Sequence, residues 1–155
     1  MQYARHAHVY LMATELFVRR PLLWLQFASE KRVTITGSPN FGYRHLLKVL
    51  GDRRLEGVDL SALRIIYNGA EPISVRLCNE FTKALANTGL RRRALYPVYG
   101  LAEGTVAVTL SEMDTEYRWI RADRRYLGIG ARVELNPVDR SHVLEIMCVG
   151  KTVPS

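Results

Sequence analysis

The sequence has little cysteine and no long apolar run. Cys78 and Cys148 are the only cysteines among 155 residues, and their spacing matches neither a disulfide framework nor a metal site. The four histidines are scattered and give no indication of a metal site. No apolar run approaches the roughly 20 residues that a membrane-spanning helix needs, and the first residues lack the apolar segment of a secretory signal. We therefore expect a reduced, cytoplasmic protein without a membrane span.

Lysine is also scarce, although the chain is basic. Lysine and arginine together number 22 and aspartate and glutamate 15, for a net charge of +7, and most of the positive charge comes from arginine. A basic balance suits anionic partners such as nucleotides, nucleic acid or an acidic carrier protein, and does not choose among them. The densest cluster is Arg91–Arg93. No aromatic residues interleave with it as in a base-stacking platform, so we expect an exposed strand start and no nucleic-acid partner.

Apolar sequence is plentiful, since hydrophobic residues make up 48% of the chain, which is enough for one compact domain with a core. Helical and strand-like patterns alternate over the first two thirds. This rhythm is typical of parallel strands joined by crossover helices. The predicted helices cover 13–31, 43–50 and 75–87, and the predicted strands cover 33–36, 63–67 and 94–98.

Four shorter strand-like runs follow Thr105, with Gly128 and Gly130 indicating turns between them. They predict a β-rich C-terminal portion, which we expect to be antiparallel. These runs cover 106–110, 117–120, 131–135 and 143–149.

Four residues are predicted to set element boundaries. A residue before proline resists helical backbone, so Arg20 marks a joint within the first helical segment, and Pro21 suits the first turn of a second helix. Ser74 is typical of a helix N-cap. Pro97 lacks the N–H that a strand ladder uses, which indicates a strand end or an edge strand.

Glycines and aromatic residues gather in the loops that leave the three predicted parallel strands, at 37–43, 68–74 and 99–105. The carboxyl ends of parallel strands lie at one edge of the sheet, and ligands of such sheets bind there. These loops therefore predict a ligand site at that edge.

The third loop has the chemistry of a nucleotide site. Tyr99 offers a ring for stacking, Gly100 and Gly104 allow close backbone approach, and Glu103 offers oxygens suited to Mg²⁺ beside phosphates. An ordinary turn is the structural alternative. In the second loop, Glu71 has the alternative of stabilising the start of the next helix, where negative charge is favourable.

Three segments resemble, in order and spacing, the motifs of the acyl-adenylate-forming superfamily, and within it the fatty acyl-AMP ligases, including the loading domains of polyketide and nonribosomal peptide synthases. The resemblance runs over nearly the whole chain, and Arg20–Leu25 also resembles a segment of those enzymes. It implies an α/β fold of parallel βαβ layers with a β-rich C-terminal appendage. The three segments are Ser38-Pro39-Asn40-Phe41-Gly42-Tyr43, Asn68-Gly69-Ala70-Glu71-Pro72 and Tyr99-Gly100-Leu101-Ala102-Glu103-Gly104-Thr105.

The resemblance also implies roles for individual residues, with ATP and Mg²⁺ as cofactors. Tyr99 would stack on the adenine and Glu103 would hold Mg²⁺ against the phosphates. Ala102 stands where related ligases often carry threonine, as it does in many fatty acyl-AMP ligases. The other implied nucleotide-binding residues are Asn68, Gly69, Ala70, Glu71 and Gly100, and those implied to border the acyl substrate are Phe41, Gly42, Tyr43 and Leu101.

Several parts of the superfamily pattern are absent: the phosphate loop with its lysine, the aspartate that holds the ribose, and the C-terminal domain with the catalytic lysine. We therefore expect residues 1–155 to be a single partial domain, with a βαβ sheet portion at about 13–105 and a β-rich portion at about 106–155. The parent enzyme would activate a fatty or other carboxylic acid with ATP and pass the acyl group to a carrier-protein thiol. The isolated chain would have little or no adenylating activity.

Other interpretations stay open at this point. A coenzyme A ligase or an amino-acid adenylation domain would share the motifs. A non-enzymatic basic module for nucleic acid or an acidic protein would share only the charge, and an inert folding unit would share only the fold. Apolar faces left exposed on a partial domain would favour self-association.

Overall fold

A computed structural model describes residues 8–104 and 106–153. It contains a mixed α/β arrangement of four helices and seven strands within those ranges. The helices are α1 (Thr14–Arg19), α2 (Leu22–Glu30), α3 (Asn40–Leu50) and α4 (Val75–Ala84), and the strands are β1 (Ile35–Gly37), β2 (Ile65–Asn68), β3 (Leu95–Tyr99), β4 (Thr109–Leu110), β5 (Trp119–Asp123), β6 (Val143–Met147) and β7 (Lys151–Thr152).

The first three strands form the predicted parallel sheet. β1 pairs in parallel with β2, and β2 pairs in parallel with β3, with Ile35 opposite Ile65 and Ile66 opposite Leu95. β4 and β7 then extend the same sheet in the antiparallel sense, so that the strand order is β1-β2-β3-β4-β7. β5 and β6 form a separate antiparallel pair. The expected antiparallel character of the C-terminal strands is confirmed.

The predicted boundaries of the helices are largely confirmed. α1 ends at Arg19 and α2 begins at Leu22, with Pro21 as its N-cap at φ −61°, so the joint lies where proline requires it. The Oγ of Ser74 accepts a hydrogen bond from the Leu77 N–H at 3.2 Å, as expected of an N-cap. α3 begins at Asn40, three residues before the predicted start.

The hydrophobic core is formed by the buried faces of α2, α3 and α4 together with the parallel strands. Leu25, Leu46, Ile66 and Phe81 are fully buried. Tyr117, which precedes β5, and Met147 of β6 belong to the same cluster. The C-terminal strand pair is thereby packed onto the same core. Within the described ranges, none of the helices has the length and apolar character that a membrane crossing requires.

Six of the seven predicted strands are shifted by one to three residues at an end, and the seventh is wrong. β4, for example, begins at Thr109 rather than at Val106. β1 begins at Ile35 rather than Val33, because the Val33 N–H donates to the Ala28 carbonyl where the chain leaves α2. Residues 131–135 do not form a strand and contribute one isolated bridge, Ala122 to Leu135. The chain turns away at Asn136, whose φ is +51°, and Pro137 follows.

The prediction that Pro97 marks a strand end or an edge strand is also wrong. Pro97 lies inside β3, which has β2 on one side and β4 on the other. Proline is tolerated there because the ladder to β4 pairs Val98 and Tyr99 and leaves position 97 out. The Pro97 carbonyl instead accepts a hydrogen bond from Ser111 Oγ at 2.6 Å.

Candidate functional site

Three loops leave the same edge of the parallel sheet. β1, β2 and β3 end at Gly37, Asn68 and Tyr99, and their register places Gly37 opposite Tyr67 and Asn68 opposite Pro97. The strands therefore all end at one edge of the sheet, with β2 ending one residue beyond β1 and β3 ending two residues beyond β2. The structure thus brings together the three segments that the sequence marks as ligand loops.

Hydrogen bonds join the first loop to the end of β2 and to the second loop. The carbonyl of Tyr67 accepts from the Ser38 N–H at 3.1 Å and from the Tyr43 hydroxyl. The Glu71 Oε1 accepts from the Phe41 N–H at 3.3 Å. Glu71 therefore contacts the first turn of α3, and the N-cap of α4 is Ser74. Glu71 thus does not cap α4 through a hydrogen bond. The favourable effect of its charge on the start of α4 stays a prediction.

Asn40 joins the same two loops from beneath. It is the first residue of α3 and is 4% exposed. Its Nδ2 donates to the Pro72 carbonyl at 2.7 Å, and its Oδ1 accepts from the Ser74 N–H at 3.2 Å. No separate pattern distinguishes Asn40 in the sequence. The available signal is its place inside the motif from Ser38 to Tyr43.

Asn68 lies at the bottom of the second loop and is completely buried. Its Nδ2 is 3.3 Å from Asn40 Oδ1 and 3.4 Å from the sulfur of Cys78. Within the described ranges, its Oδ1 has no hydrogen-bond partner. Burial raises the pKa of the Cys78 thiol to about 11, so this sulfur stays protonated near neutral pH.

Phe41 and Tyr43 have different environments although they are two residues apart. Phe41 is 56% exposed, and its ring is stacked on His45 with a centroid separation of 5.8 Å. Tyr43 is buried, with its ring 4.7 Å from that of Phe81, and burial raises the pKa of its hydroxyl. Phe41 is thus open to a ligand, whereas Tyr43 supports the loop from the core.

Gly42, Gly69 and Gly100 stand where the loops pack too closely for a side chain. A Cβ at Gly42 would lie 2.0 Å from Ser38 Oγ, one at Gly69 2.9 Å from the Val98 carbonyl oxygen, and one at Gly100 1.6 Å from the Val106 carbonyl oxygen. The contact of Gly69 with Val98 sets the second loop against the end of β3. The contact at Gly100 folds the third loop back on itself.

Backbone strain is present in the second loop and directly after the third loop. Ala70 has φ +66° and Val106 has φ +75°, in the left-handed region that costs a residue with a side chain about 1–3 kcal/mol. A β-branched residue such as Val106 is especially unusual there. Strain of this kind concentrates at ligand sites and switch regions.

The third loop exposes its side chains. Tyr99 is 49% exposed and Leu101 is 37% exposed, and Glu103 is exposed within the short 3₁₀ helix Ala102–Gly104. Thr105, the last residue of the predicted motif, lies outside the described residues. The main chain turns back through the Val108 N–H, which donates to the Tyr99 carbonyl at 3.0 Å.

The exposed side chains of the loops form an open face. A cleft of about 730 Å³ lies between the start of α4 and the β5–β6 pair, and its described lining includes Pro72 and Ser74 but neither Tyr99 nor Glu103. The loops, in contrast to this cleft, combine an exposed ring, an exposed carboxylate and strained backbone. Within 8–104 and 106–153, no three acidic, cysteine or histidine side chains converge as a metal cage would require.

The arginine cluster at 91–93 is largely committed to contacts within the protein. Arg92 Nη2 donates to Asn79 Oδ1 at 2.7 Å, and Arg92 Nε lies 3.2 Å from a carboxylate oxygen of Glu116. The guanidinium also stands over the ring of Tyr117 at 4.5 Å. These contacts make Arg92 a structural residue rather than part of a free cationic surface.

Known proteins are similar to this chain in sequence and in fold. Residues 3–140 match a family model described as AMP-binding enzyme. The medium-chain-fatty-acid–[acyl-carrier-protein] ligase of Moorena producens is 34% identical over 138 residues, which cover 89% of this chain and 23% of that protein. The chain therefore spans about a quarter of the length of this curated relative.

Solved structures agree with this similarity. The fatty acid AMP ligase from Legionella pneumophila matches with a TM-score of 0.84 and 31% identity, over 91% of this chain and 24% of that one. A fatty acyl-adenylate ligase from L. pneumophila, in complex with acyl adenylate and pyrophosphate, matches with a TM-score of 0.83 and 32% identity, over 91% and 25%. The predicted α/β fold is confirmed, and the chain belongs to the AMP-binding enzyme family.

Proposed function

We propose that the three loops form one wall of an acyl-adenylate site, in a fatty acyl-AMP ligase or a closely related adenylation domain. The observation that carries the proposal is that the three loops leave one edge of the sheet, at the carboxyl ends of β1, β2 and β3. Ligands of open parallel sheets bind at such an edge. The relatives from L. pneumophila support the assignment, since one of them was crystallised with acyl adenylate and pyrophosphate.

In this proposal Tyr99 and the second loop hold the adenosine part of the ligand. The exposed ring of Tyr99 stacks on the adenine, and the backbone at Gly69–Glu71 borders it from the other side. Gly100 keeps the turn below the ring tight, because its close contact with Val106 leaves no room for a side chain. Asn68 acts from beneath the loop, where it is buried.

Glu103 fits a Mg²⁺ ion that is shared with the phosphates of ATP. Mg²⁺ in nucleotide sites takes one or two carboxylates and fills its other positions with phosphate oxygens and water. The carboxylate of Glu103 is exposed, and it has no ion pair among the residues that the structure describes. One free carboxylate beside the nucleotide loop is consistent with that pattern.

The acyl substrate would border the exposed apolar side chains of the first and third loops. Phe41 and Leu101 are both exposed at this edge. Gly42 and Tyr43 act behind them, Gly42 through its close contact with Ser38 and Tyr43 through its hydrogen bond to the Tyr67 carbonyl. A fatty or other carboxylic acid is the class of substrate that this apolar border suits.

The proposed reaction joins a carboxylate to ATP. A carboxylate oxygen bonds to the α-phosphorus, the bond from that phosphorus to the bridging oxygen breaks, and pyrophosphate leaves. The sulfur of a carrier-protein thiol then bonds to the acyl carbon, the bond from that carbon to the phosphate oxygen breaks, AMP leaves and the thiol proton passes to solvent. The M. producens relative, named as an acyl-carrier-protein ligase, supports this acceptor. The loops contribute orientation and the carboxylate of Glu103, which are positioning and electrostatic effects.

The isolated 155-residue chain is expected to have little or no adenylating activity. No lysine lies in the three loops, and stabilisation of phosphate charge is the main catalytic requirement of this chemistry. Carboxylate-dependent exchange of pyrophosphate into ATP is the measurement. Turnover by this chain comparable to that of a complete ligase would contradict the expectation.

Binding tests the site more directly than turnover. We expect Tyr99→Ala to weaken binding of a non-hydrolysable acyl-adenylate analogue in calorimetry, because stacking of a base on an aromatic ring contributes about 1–3 kcal/mol, or roughly 5- to 150-fold in Kd. Tyr126→Ala is the matched control, since Tyr126 is 44% exposed and lies outside the three loops. Equal affinities for wild type and Tyr99→Ala would overturn the stacking role.

A further inference from the structure

Asn40 uses its whole side-chain amide to bind the second loop at both ends. The Nδ2 donates to the Pro72 carbonyl at 2.7 Å, and the Oδ1 accepts from the Ser74 N–H at 3.2 Å, which are contacts at the end of the loop. The same Oδ1 is 3.3 Å from Asn68 Nδ2 at its beginning. One buried side chain therefore connects the start and the finish of a loop that reverses direction at Ala70.

These contacts bind the loop to a rigid element. Asn40 is the first residue of α3, an eleven-residue helix, whose Leu46 and Leu50 are buried in the core. Any movement of α3 would disturb this core packing and would therefore be costly. The height of residues 69–71 above the sheet is therefore set by where α3 begins.

We infer that Asn40 is a positioning residue, which holds the second loop at a fixed distance from the segment 38–43 and so sets the gap between the nucleotide and acyl parts of the site. The inference rests on the proposed function for its purpose, whereas the loop contacts themselves are independent of it. Asn40 has no direct contact with ligand in this assignment. Its effect passes through Pro72, Ser74 and Asn68.

Two substitutions separate the contacts of Asn40. Asn40→Ala removes the donor and the acceptor together and leaves the Pro72 carbonyl without its partner. Asn40→Asp keeps an acceptor for the Ser74 N–H, but an ionised carboxylate cannot donate to Pro72. The aspartate variant should therefore lose the contact with Pro72 and keep the contact with Ser74.

Amide hydrogen exchange on the chain itself tests the positioning role. We expect Asn40→Ala to lower the protection factors of Phe41, Ser74 and residues 69–71 by roughly tenfold or more, since a buried polar group that loses its partner costs about 1–3 kcal/mol. In Asn40→Asp the protection of Ser74 should be kept better than in Asn40→Ala, because an acceptor for its N–H remains. Asn87→Ala is the control, because Asn87 Nδ2 also donates to a carbonyl, that of Leu55 at 3.2 Å, outside these loops.

The outcomes are distinguishable from those that test the proposed function. Unchanged protection of the loop in Asn40→Ala, an equal loss at amides throughout the protein, or an equal loss at Ser74 in Asn40→Asp and Asn40→Ala would each overturn the positioning role. Calorimetry with the acyl-adenylate analogue adds a second readout, in which Asn40→Ala should bind more weakly than wild type and Asn87→Ala should not. Absence of binding by wild type would count against the proposed function alone, since the exchange data decide the role of Asn40.

Discussion

At the scale of single residues, the loops depend on places where only hydrogen fits. Gly100 is the extreme case, since a Cβ there would lie 1.6 Å from the Val106 carbonyl oxygen. The obstacle is main chain, which cannot rotate away as a flexible side chain could. Accommodating even a methyl group would require the third loop to open.

We expect Gly100→Ala to destabilise the protein by about 3 kcal/mol, at the upper end of the usual cost of overpacking. Gly128→Ala is the matched control, because its nearest non-neighbouring atom, Ala131 Cβ, is 4.0 Å from the added carbon. That variant should change the free energy of unfolding by less than about 1 kcal/mol. Urea denaturation measures both, and equal losses would show that the third loop is loose at Gly100.

At the scale of secondary-structure elements, Arg92 connects three parts of the molecule. It lies in the 3₁₀ helix Arg92–Ala94 before β3, donates to Asn79 of α4, and contacts Glu116 and Tyr117 just before β5. The Tyr117 hydroxyl donates to the same Asn79 oxygen at 2.8 Å. The C-terminal strand pair is thus joined to α4 by one small polar cluster.

Replacing Arg92 by lysine should destabilise the protein although the charge is kept. Lysine cannot reproduce the planar stacking on Tyr117 together with the hydrogen bond to Asn79 and the ion pair with Glu116. We expect a loss of about 1 kcal/mol. Arg91→Lys, at an exposed neighbouring position, should cost less than about 0.5 kcal/mol. Thermal unfolding of the pair gives the comparison, and indistinguishable melting temperatures would contradict the structural role of Arg92.

Elements with a strong local signal could be predicted from the sequence, and those that depend on distant partners could not. Pro21 and Ser74 act on their own backbone, so their effects are visible in sequence. Residues 131–135 have the composition of a strand, but pairing along β5 stops after one bridge. The place of Pro97 inside a strand is hidden in the sequence for the same reason. It depends on β4, whose ladder with β3 does not include position 97.

The candidate site shows the same division. Tyr99, Glu103 and the glycines could be selected because their residue types have a recognisable chemistry. Asn40 could not, because its importance lies in bonds to residues 28 to 34 positions away. The burial of Tyr43 likewise depends on Phe81, which only the packing of α3 on α4 brings near.

At the scale of the whole molecule, the five-stranded sheet has an edge strand on each side, β1 and β7 among the described residues. Within the described ranges β1 has a neighbour only in β2, and Ile35 on this edge strand is 52% exposed. An edge strand that has an exposed apolar side chain is a template for pairing with another chain. The sequence-based expectation of self-association therefore stays a prediction with a definite location.

We expect the isolated chain to associate with increasing concentration and Ile35→Lys to reduce that association, because a charge on an edge strand opposes pairing. Val138→Lys is the control, since it adds the same charge at a residue that is 98% exposed and lies outside the strands. Sedimentation velocity over a range of concentrations measures the effect. A wild-type chain that stays monomeric throughout, or equal behaviour of the two variants, would contradict the prediction.

The partnership of β4 with β7 has a consequence for how the chain acquires its fold. Thr109 pairs with Thr152, so the ladder between β4 and β7 cannot form until more than forty further residues have been synthesised. At a synthesis rate of about 5–20 residues per second this wait is on the order of 2–8 seconds, far longer than the microseconds in which local hairpins form. During translation β4 is therefore a temporary edge until β7 has been synthesised.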